Sequence, residues 1–113
     1  MEKAYEPEDL SRLFIERINA QDVDGLVELY EPDAVLATPD GGTARGAAAI
    51  RAFYTELTCT EPTFTTGRQW PALTVGDIAL TSSRLPGGGA TAEIARRGPD
   101  GSWRWVADRP SVT

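Results

Sequence analysis

The chain has 113 residues and a formal net charge of −6 at pH 7. This length suits one compact domain, so we expect a single domain over residues 1–113. The negative charge argues against non-specific nucleic-acid binding, which needs a basic surface to release phosphate counterions. No apolar run approaches the roughly 18 residues of a membrane span. We therefore predict neither a nucleic-acid partner nor a membrane partner.

The residue inventory narrows the chemistry further. The chain has no histidine and a single cysteine, Cys59. This excludes Ser-His-Asp and Cys-His nucleophile systems and any His- or Cys-rich metal site, so we expect no metal and no cofactor. Proton transfer must then use Asp, Glu, Tyr, Cys59 or Lys3. A lone cysteine and an N-terminus, "MEKAY", without the blocks of a signal peptide predict a cytoplasmic protein.

Helical patterns fill the first half of the chain. Apolar residues recur at helical spacing over 7–20, and Pro7 suits the first position of that helix. Asp22 is a candidate N-cap for a second helix over 23–30. A third amphipathic helix is predicted over 47–58.

Strand patterns fill the rest. β-branched segments separated by Gly- and Pro-containing turns predict an antiparallel meander after Pro62, with a bend at Pro71. The predicted strands are 34–38, 63–75, 78–85, 90–97 and 102–109. Three helices followed by a run of strands indicate an α+β fold, in which the helices pack on one face of a curved antiparallel sheet. Such an arrangement can enclose a pocket.

Two stretches carry a family resemblance. "FIERINAQDVDGLVELYEPDAVLATPDGGTARGAAAIRAFY", residues 14–54, and "DGSWRWVADRPS", residues 100–111, resemble the NTF2-like superfamily, specifically its SnoaL-like and ketosteroid-isomerase-like members. The resemblance implies a cone whose sheet has a mixed edge, with a pocket between the helices and the concave face. It also implies a homodimer that pairs through the outer face of the sheet.

The resemblance further places three catalytic roles. In ketosteroid isomerases an aspartate base ends the first strand, and a tyrosine and a protonated aspartate form an oxyanion hole. These roles fall on Thr38, Phe14 and, less directly, Glu93. Thr38 has no basic form near neutral pH, and Phe14 cannot donate a hydrogen bond. The usual acid–base residues are therefore missing, and steroid isomerisation by that route is not expected.

Two carboxylates are candidates to replace them. Asp40 lies two residues after Thr38 and is either a displaced base or part of the turn in "PDGG". Glu93 is either a pocket acid with a raised pKa or a member of a surface charge pair. Asp108 and Arg109 are interpreted as a local charge cluster at the end of the chain.

Aromatic residues are candidates to line the pocket. Tyr30 and Tyr54 either point a hydroxyl group into it or belong to the core. Trp70, Trp103 and Trp105 either form an aromatic wall or lie in the sheet core or a dimer interface. The predicted ligand-binding set is Phe14, Tyr30, Thr38, Tyr54, Trp70 and Trp105.

Three functions stay open from the sequence. The first is the binding of a small apolar or amphipathic molecule in the cone without strong catalysis. The second is an isomerase, cyclase or lyase that uses Asp40 and Glu93 as a non-standard acid pair. The third is an interaction module that self-associates through the sheet.

Overall fold

Three helices and six strands form the part of the chain that the computed structural model describes, residues 1–65 and 67–112. The helices are α1 Asp9–Asn19, α2 Val23–Glu28 and α3 Ala47–Thr58. The strands are β1 Tyr30–Ala37, β2 Thr43–Arg45, β3 Leu73–Val75, β4 Ile78–Thr81, β5 Ala90–Arg97 and β6 Trp103–Val112.

The strands form one sheet in the order β2-β1-β6-β5-β4-β3. All neighbours are antiparallel except β1 and β6, which are parallel, so the sheet is mixed. The helices cover one face, and the core between the layers holds large, fully buried side chains: Leu10, Leu13, Ile18, Leu26, Leu36, Ile50 and Tyr54. Burial of each such side chain stabilises the fold by roughly 1.5–3 kcal/mol. The predicted α+β class is confirmed.

The helices match the sequence pattern closely. Helix α3 has the predicted bounds, and Asp22 caps α2 by accepting a 2.9 Å hydrogen bond from the Gly25 amide. Helix α1 begins at Asp9, after a turn in which the Leu10 amide donates to the Pro7 carbonyl.

Strand β1 begins at Tyr30, four residues earlier than predicted. The second helix, predicted over 23–30, correspondingly ends at Glu28. The register between β1 and β6 shifts between Tyr30 and Val35. This irregularity accommodates Pro32, which cannot donate to a regular ladder.

The predicted strand over 63–75 is wrong for most of its length, because among its described residues, 63–65 and 67–75, only Leu73–Val75 form a strand. Pro71 has no amide hydrogen for a ladder. Gly67 lies so close to the Arg84 carbonyl that a Cβ atom would sit 1.8 Å from its oxygen. The described residues before β3 therefore run irregularly, with one bridge to the Ser83 region.

A bulge in β6 reverses the orientation of its second half. Ala95 pairs with Trp105, but Ile94 pairs with Ala107, so Val106 is an extra residue opposite a regular β5. Without it, strand alternation would turn Trp103, Trp105 and Ala107 to the inner face. With it, Asp108 takes the inner position instead, because a bulge re-aims the side chains that follow.

No helix among the described residues is long and apolar enough to cross a membrane.

Gly25 makes the turn between α1 and α2 possible. A Cβ atom there would lie 2.3 Å from Asp22 Oδ2 and 2.8 Å from Arg17 Cδ. Arg17 cannot move aside easily, because its buried guanidinium donates to the carbonyls of Gly25 and Glu2. We expect Gly25→Ala to lower the free energy of unfolding by about 1–2 kcal/mol, since disrupting the cap outweighs the better helix propensity of alanine. Urea denaturation measures this change.

Gly87→Ala is the matched control, because a Cβ atom at Gly87 meets nothing within 4 Å. That variant should stay within about 0.5 kcal/mol of the parent. If Gly25→Ala is equally neutral, the crowding at Gly25 has no energetic consequence.

Candidate functional site

A cavity of about 310 Å³ opens between the helices and the inner face of the sheet. We call it the aromatic pocket; its walls include Phe14, Tyr54, Phe64, Glu93, Trp105 and Asp108. Its size lies at the lower end of the range for small-molecule sites. Most of its exposed wall is apolar, and its two carboxyl groups lie on the neighbouring strands β5 and β6.

Asp108 is the most strongly perturbed acid of this pocket. Its side chain is buried, and its Oδ2 atom accepts a 2.5 Å hydrogen bond from the Tyr30 hydroxyl. Burial raises the pKa of Asp108 to about 7, against the lowering effect of the Tyr30 hydrogen bond, and the charge of Glu93 raises it further. Asp108 therefore exchanges its proton near neutral pH.

Two tyrosine hydroxyl groups extend from Asp108. The Tyr30 and Tyr54 oxygens lie 2.6 Å apart, so Tyr54, Tyr30 and Asp108 form a continuous hydrogen-bonded chain. Burial raises the pKa of both phenols above its usual range, and the nearby acidic groups add to this effect. Both tyrosines consequently keep their protons at neutral pH and act as donors.

Glu93 lies directly opposite Asp108 in the β5–β6 register. It is buried, and its Oε1 atom accepts a 2.6 Å hydrogen bond from the Thr81 hydroxyl. Burial raises the pKa of Glu93 above its ordinary value, although hydrogen bonds from Thr81 and Thr91 lower it in part. Cross-strand partners share one face of a sheet, so two buried carboxyl groups line the same pocket.

The aromatic wall stands beside these acids. The ring centroid of Phe14 lies 5.7 Å from that of Phe64 and 6.2 Å from that of Trp105. The Trp105 side chain is 4% exposed, and its indole Nε1 atom is the one buried side-chain polar atom of the described residues without a hydrogen-bond partner. A buried donor without an acceptor costs about 1–3 kcal/mol, so this N–H group destabilises the fold.

Thr38 lies at a second cavity of about 530 Å³, which shares Phe14, Tyr54 and Phe64 with the aromatic pocket. We call it the strand-end cavity. Phe53 and Leu57 of α3 also line it. The Thr38 hydroxyl is already engaged, because it donates to Asp40 Oδ1 over 2.5 Å.

Asp40 lies in the exposed turn after β1 and lines neither cavity. Its Oδ1 atom also accepts a 2.9 Å hydrogen bond from the Gly42 amide. The Thr38 hydroxyl, with the Gly42 amide in second place, lowers the pKa of Asp40. The structure thus gives Asp40 the turn geometry and does not bring it together with Glu93.

The tryptophans are divided between separate environments. Trp70 is 42% exposed, and the Arg68 guanidinium lies 4.5 Å from its ring centroid, outside both cavities. Trp103 is buried at the far end of β6, where its amide donates to the Ala4 carbonyl. Only Trp105 belongs to the aromatic pocket, together with the predicted residues Phe14 and Tyr54.

The interpretation of Asp108 as part of a terminal charge cluster is wrong, because the residue is buried in the pocket. Regular alternation from Trp103 and Trp105 places Asp108 outside, and the bulge at Val106 leaves no clear mark in the sequence. One available signal was chemical. Tyr30 and Tyr54, predicted on buried faces, needed partners for their hydroxyl groups.

No group of three or more acidic or cysteine side chains within residues 1–65 and 67–112 is arranged to hold a metal ion.

Three helices covering one face of a curved mixed sheet, with a pocket between the layers, form the cone architecture of α+β proteins. Residues 11–109 match the SnoaL-like domain, and the chain therefore belongs to this family within the NTF2-like superfamily. No curated protein matches the sequence significantly.

Solved structures share the fold at low identity. A protein of unknown function from Mycobacterium tuberculosis is 21% identical with a TM-score of 0.77, over 91% of this chain and 67% of that one. A ketosteroid isomerase-like protein from Erwinia carotovora atroseptica is 19% identical with a TM-score of 0.70, over 90% and 89%. A SnoaL-like protein of unknown function from Burkholderia thailandensis is 23% identical with a TM-score of 0.62, over 90% of each chain. At these identities the similarity shows the fold alone.

Proposed function

We propose that the protein binds a small apolar or amphipathic molecule in the aromatic pocket. The observation that carries this proposal is the pairing of an apolar, aromatic cavity of about 310 Å³ with two buried carboxyl groups, Glu93 and Asp108. Binding sites combine an apolar wall with a few convergent polar groups in this way. By the family resemblance, the roles of the isomerase base and tyrosine fall on Thr38 and Phe14, which favours binding over steroid isomerisation.

The test is a thermal-shift screen followed by calorimetry with small probes such as 2-phenylethanol, camphor and 2-naphthol. We expect at least one probe to bind, and Phe14→Ala to weaken it about tenfold or more, since that variant removes the aromatic surface shared by both cavities. Trp70→Ala is the matched control, because Trp70 lies outside both cavities. If no probe raises the melting temperature, the proposal loses its support.

A second candidate function is proton transfer on a bound ligand, as in an isomerase, cyclase or lyase. It is favoured by the pKa of Asp108, about 7, because a general base or acid works best near the operating pH. Asp108 and Glu93 replace the predicted pair of Asp40 and Glu93 in this version. The role is tested by the exchange of α-hydrogens of a small ketone in D₂O, followed by NMR. Asp108→Asn should slow catalysed exchange by roughly 10²–10⁴-fold, and unchanged exchange would exclude this role.

We also propose that two copies pair through the outer face of the sheet. Leu80 and Ile94 are register partners there, and they are 45% and 44% exposed. Covering such neighbouring apolar side chains is favourable. Light scattering should give a dimer for the parent and a monomer for Ile94→Glu. A monomeric parent at high concentration would contradict this arrangement.

The cytoplasmic location of the protein stays a prediction.

A further inference from the structure

The two carboxyl groups of the aromatic pocket have no cationic partner. No arginine or lysine among residues 1–65 and 67–112 forms an ion pair with Glu93 or Asp108. Arg84, at the mouth of the pocket, and Arg109, next along β6, are exposed. Buried acids are normally paired with a cation or a metal, because an isolated carboxylate is costly to desolvate. The described part of the chain supplies no such charge.

Their hydrogen bonds come from neutral groups. Thr81 donates to Glu93, and Tyr30 donates to Asp108 Oδ2. Neutral donors orient the carboxyl groups without cancelling their charge, which agrees with the raised pKa of both acids. A positively charged ligand would offset both the cost of burying the two carboxylates and the repulsion between them.

The remaining wall of the pocket suits a cation as well. Phe14, Tyr54, Phe64 and Trp105 all line it, and aromatic faces attract ammonium groups, more strongly when water is excluded. The indole N–H of Trp105, a residue of the pocket wall, is buried and has no hydrogen-bond partner among the described residues.

We propose that the aromatic pocket binds a small amphipathic amine, whose protonated nitrogen lies against Glu93 and Asp108 and whose apolar skeleton lies against the aromatic wall. This inference rests on the proposed binding function and narrows it to one ligand class. The negative net charge of the chain also favours the approach of a cation.

The test compares two probes of nearly the same shape, 2-phenylethylamine and 2-phenylethanol, by titration calorimetry at pH 7.5. We expect the amine to bind about tenfold tighter or more. Calorimetry in two buffers of different ionisation enthalpy should show proton release with the amine alone, since the cation lowers the pKa of the acids. Lowering the pH to 5.5 should weaken amine binding, because the carboxyl groups become protonated. Tyr30 and Tyr54, the other titratable groups that face them, keep their protons because burial raises the pKa of both phenols, and the exposed Arg84 lies at the mouth of the pocket.

Three variants locate the charge. Glu93→Gln and Asp108→Asn keep the shape of each side chain and should each abolish most of the preference for the amine while leaving alcohol binding similar. Two acids are tested so that one poorly folded variant does not decide the outcome. Asp40→Asn is the control, because it removes a carboxylate of the same kind from an exposed turn. Its preference for the amine should match that of the parent.

Trp105 reports where the probe binds. The chain has three tryptophans, so three indole N–H resonances are expected, and Trp105→Phe identifies one of them. That resonance should move when the amine binds. An alcohol that binds as tightly as the amine overturns the amine inference while the binding function stands. Failure of both probes, and of the wider apolar set, overturns both. A preference for the amine that survives both acid variants also overturns the inference, because the cation then binds elsewhere.

Discussion

Asp108→Asn should stabilise the protein at pH 8 relative to the parent, and the gain should vanish as the pH falls to about 4. The pKa of Asp108 is about 7 in the folded protein and is taken as 3.8 in the unfolded chain. Between these values the folded state holds a proton that the unfolded state has lost. The free energy of unfolding of the parent therefore falls as the pH rises through this window, and it levels off above about pH 7.

The expected size of this effect is large for a single side chain. The difference between the two pKa values corresponds to roughly 4 kcal/mol. Asparagine keeps an acceptor for the Tyr30 hydroxyl but carries no charge at any pH. The difference in unfolding free energy between variant and parent should therefore change by up to about 4 kcal/mol between pH 4 and pH 8. Urea denaturation at four pH values in this range measures it.

Asp40→Asn provides a control of opposite sign. The pKa of Asp40 is lowered by its hydrogen bonds, so its contribution to stability is present at neutral pH and is lost as the pH falls through the folded pKa. Because Asp40 is exposed, the change should be small. If the difference in unfolding free energy between Asp108→Asn and the parent does not vary with pH, the pKa of Asp108 is not raised in the folded protein.

The fold was largely predictable because its helices repeat apolar residues at regular spacing. Leu10, Leu13 and Ile18 are all buried, as the period of 3.6 residues requires. The alternation of β5 was equally informative, since Glu93 and Ala95 are buried while Ile94 is exposed. Both patterns are local, so the sequence alone contains them.

The candidate site depended on features that are not local. Whether Asp108 faces the pocket is decided by one bulged residue, Val106, and by the register of β6 against β5. The path of residues 63–65 and 67–72 is decided by contacts such as the pair of hydrogen bonds between Asn19 and the Phe64 backbone, across 45 positions of sequence. Such pairings depend on tertiary structure, which overrides the strand propensity of the threonines in that segment.

Tyr30 illustrates both the local pattern and the tertiary contacts. The periodicity of the sequence placed its side chain on a buried face, but only the fold shows that it joins β1 to α3 and β6 through hydrogen bonds. Its hydroxyl proton is donated to Asp108, and its oxygen accepts from Tyr54. Tyr30 is thus the central member of the chain, whereas Tyr54 is an end member.

Tyr30→Phe should therefore be much more costly than Tyr54→Phe. Removing the Tyr30 hydroxyl leaves a buried carboxylate without its donor and the Tyr54 hydroxyl without its acceptor, which should cost about 2–3 kcal/mol at pH 8. Tyr54→Phe removes only the outer hydrogen bond and should cost about 1 kcal/mol. Urea denaturation of both variants measures the difference, and each variant serves as the control for the other because the two rings pack in the same core.

The pH dependence of Tyr30→Phe separates its electrostatic role from simple packing. The Tyr30 hydrogen bond lowers the pKa of Asp108, so its loss should raise that pKa above about 7. Carbon-detected NMR titration of the Asp108 carboxyl group measures this shift. Tyr30→Phe should also be less destabilising at pH 5, because Asp108 is protonated there and the missing hydrogen bond no longer leaves a buried charge without a donor. Equal costs for the two variants, or a Tyr30→Phe cost that is the same at pH 5 and pH 8, would mean that the hydroxyl group acts only as core volume.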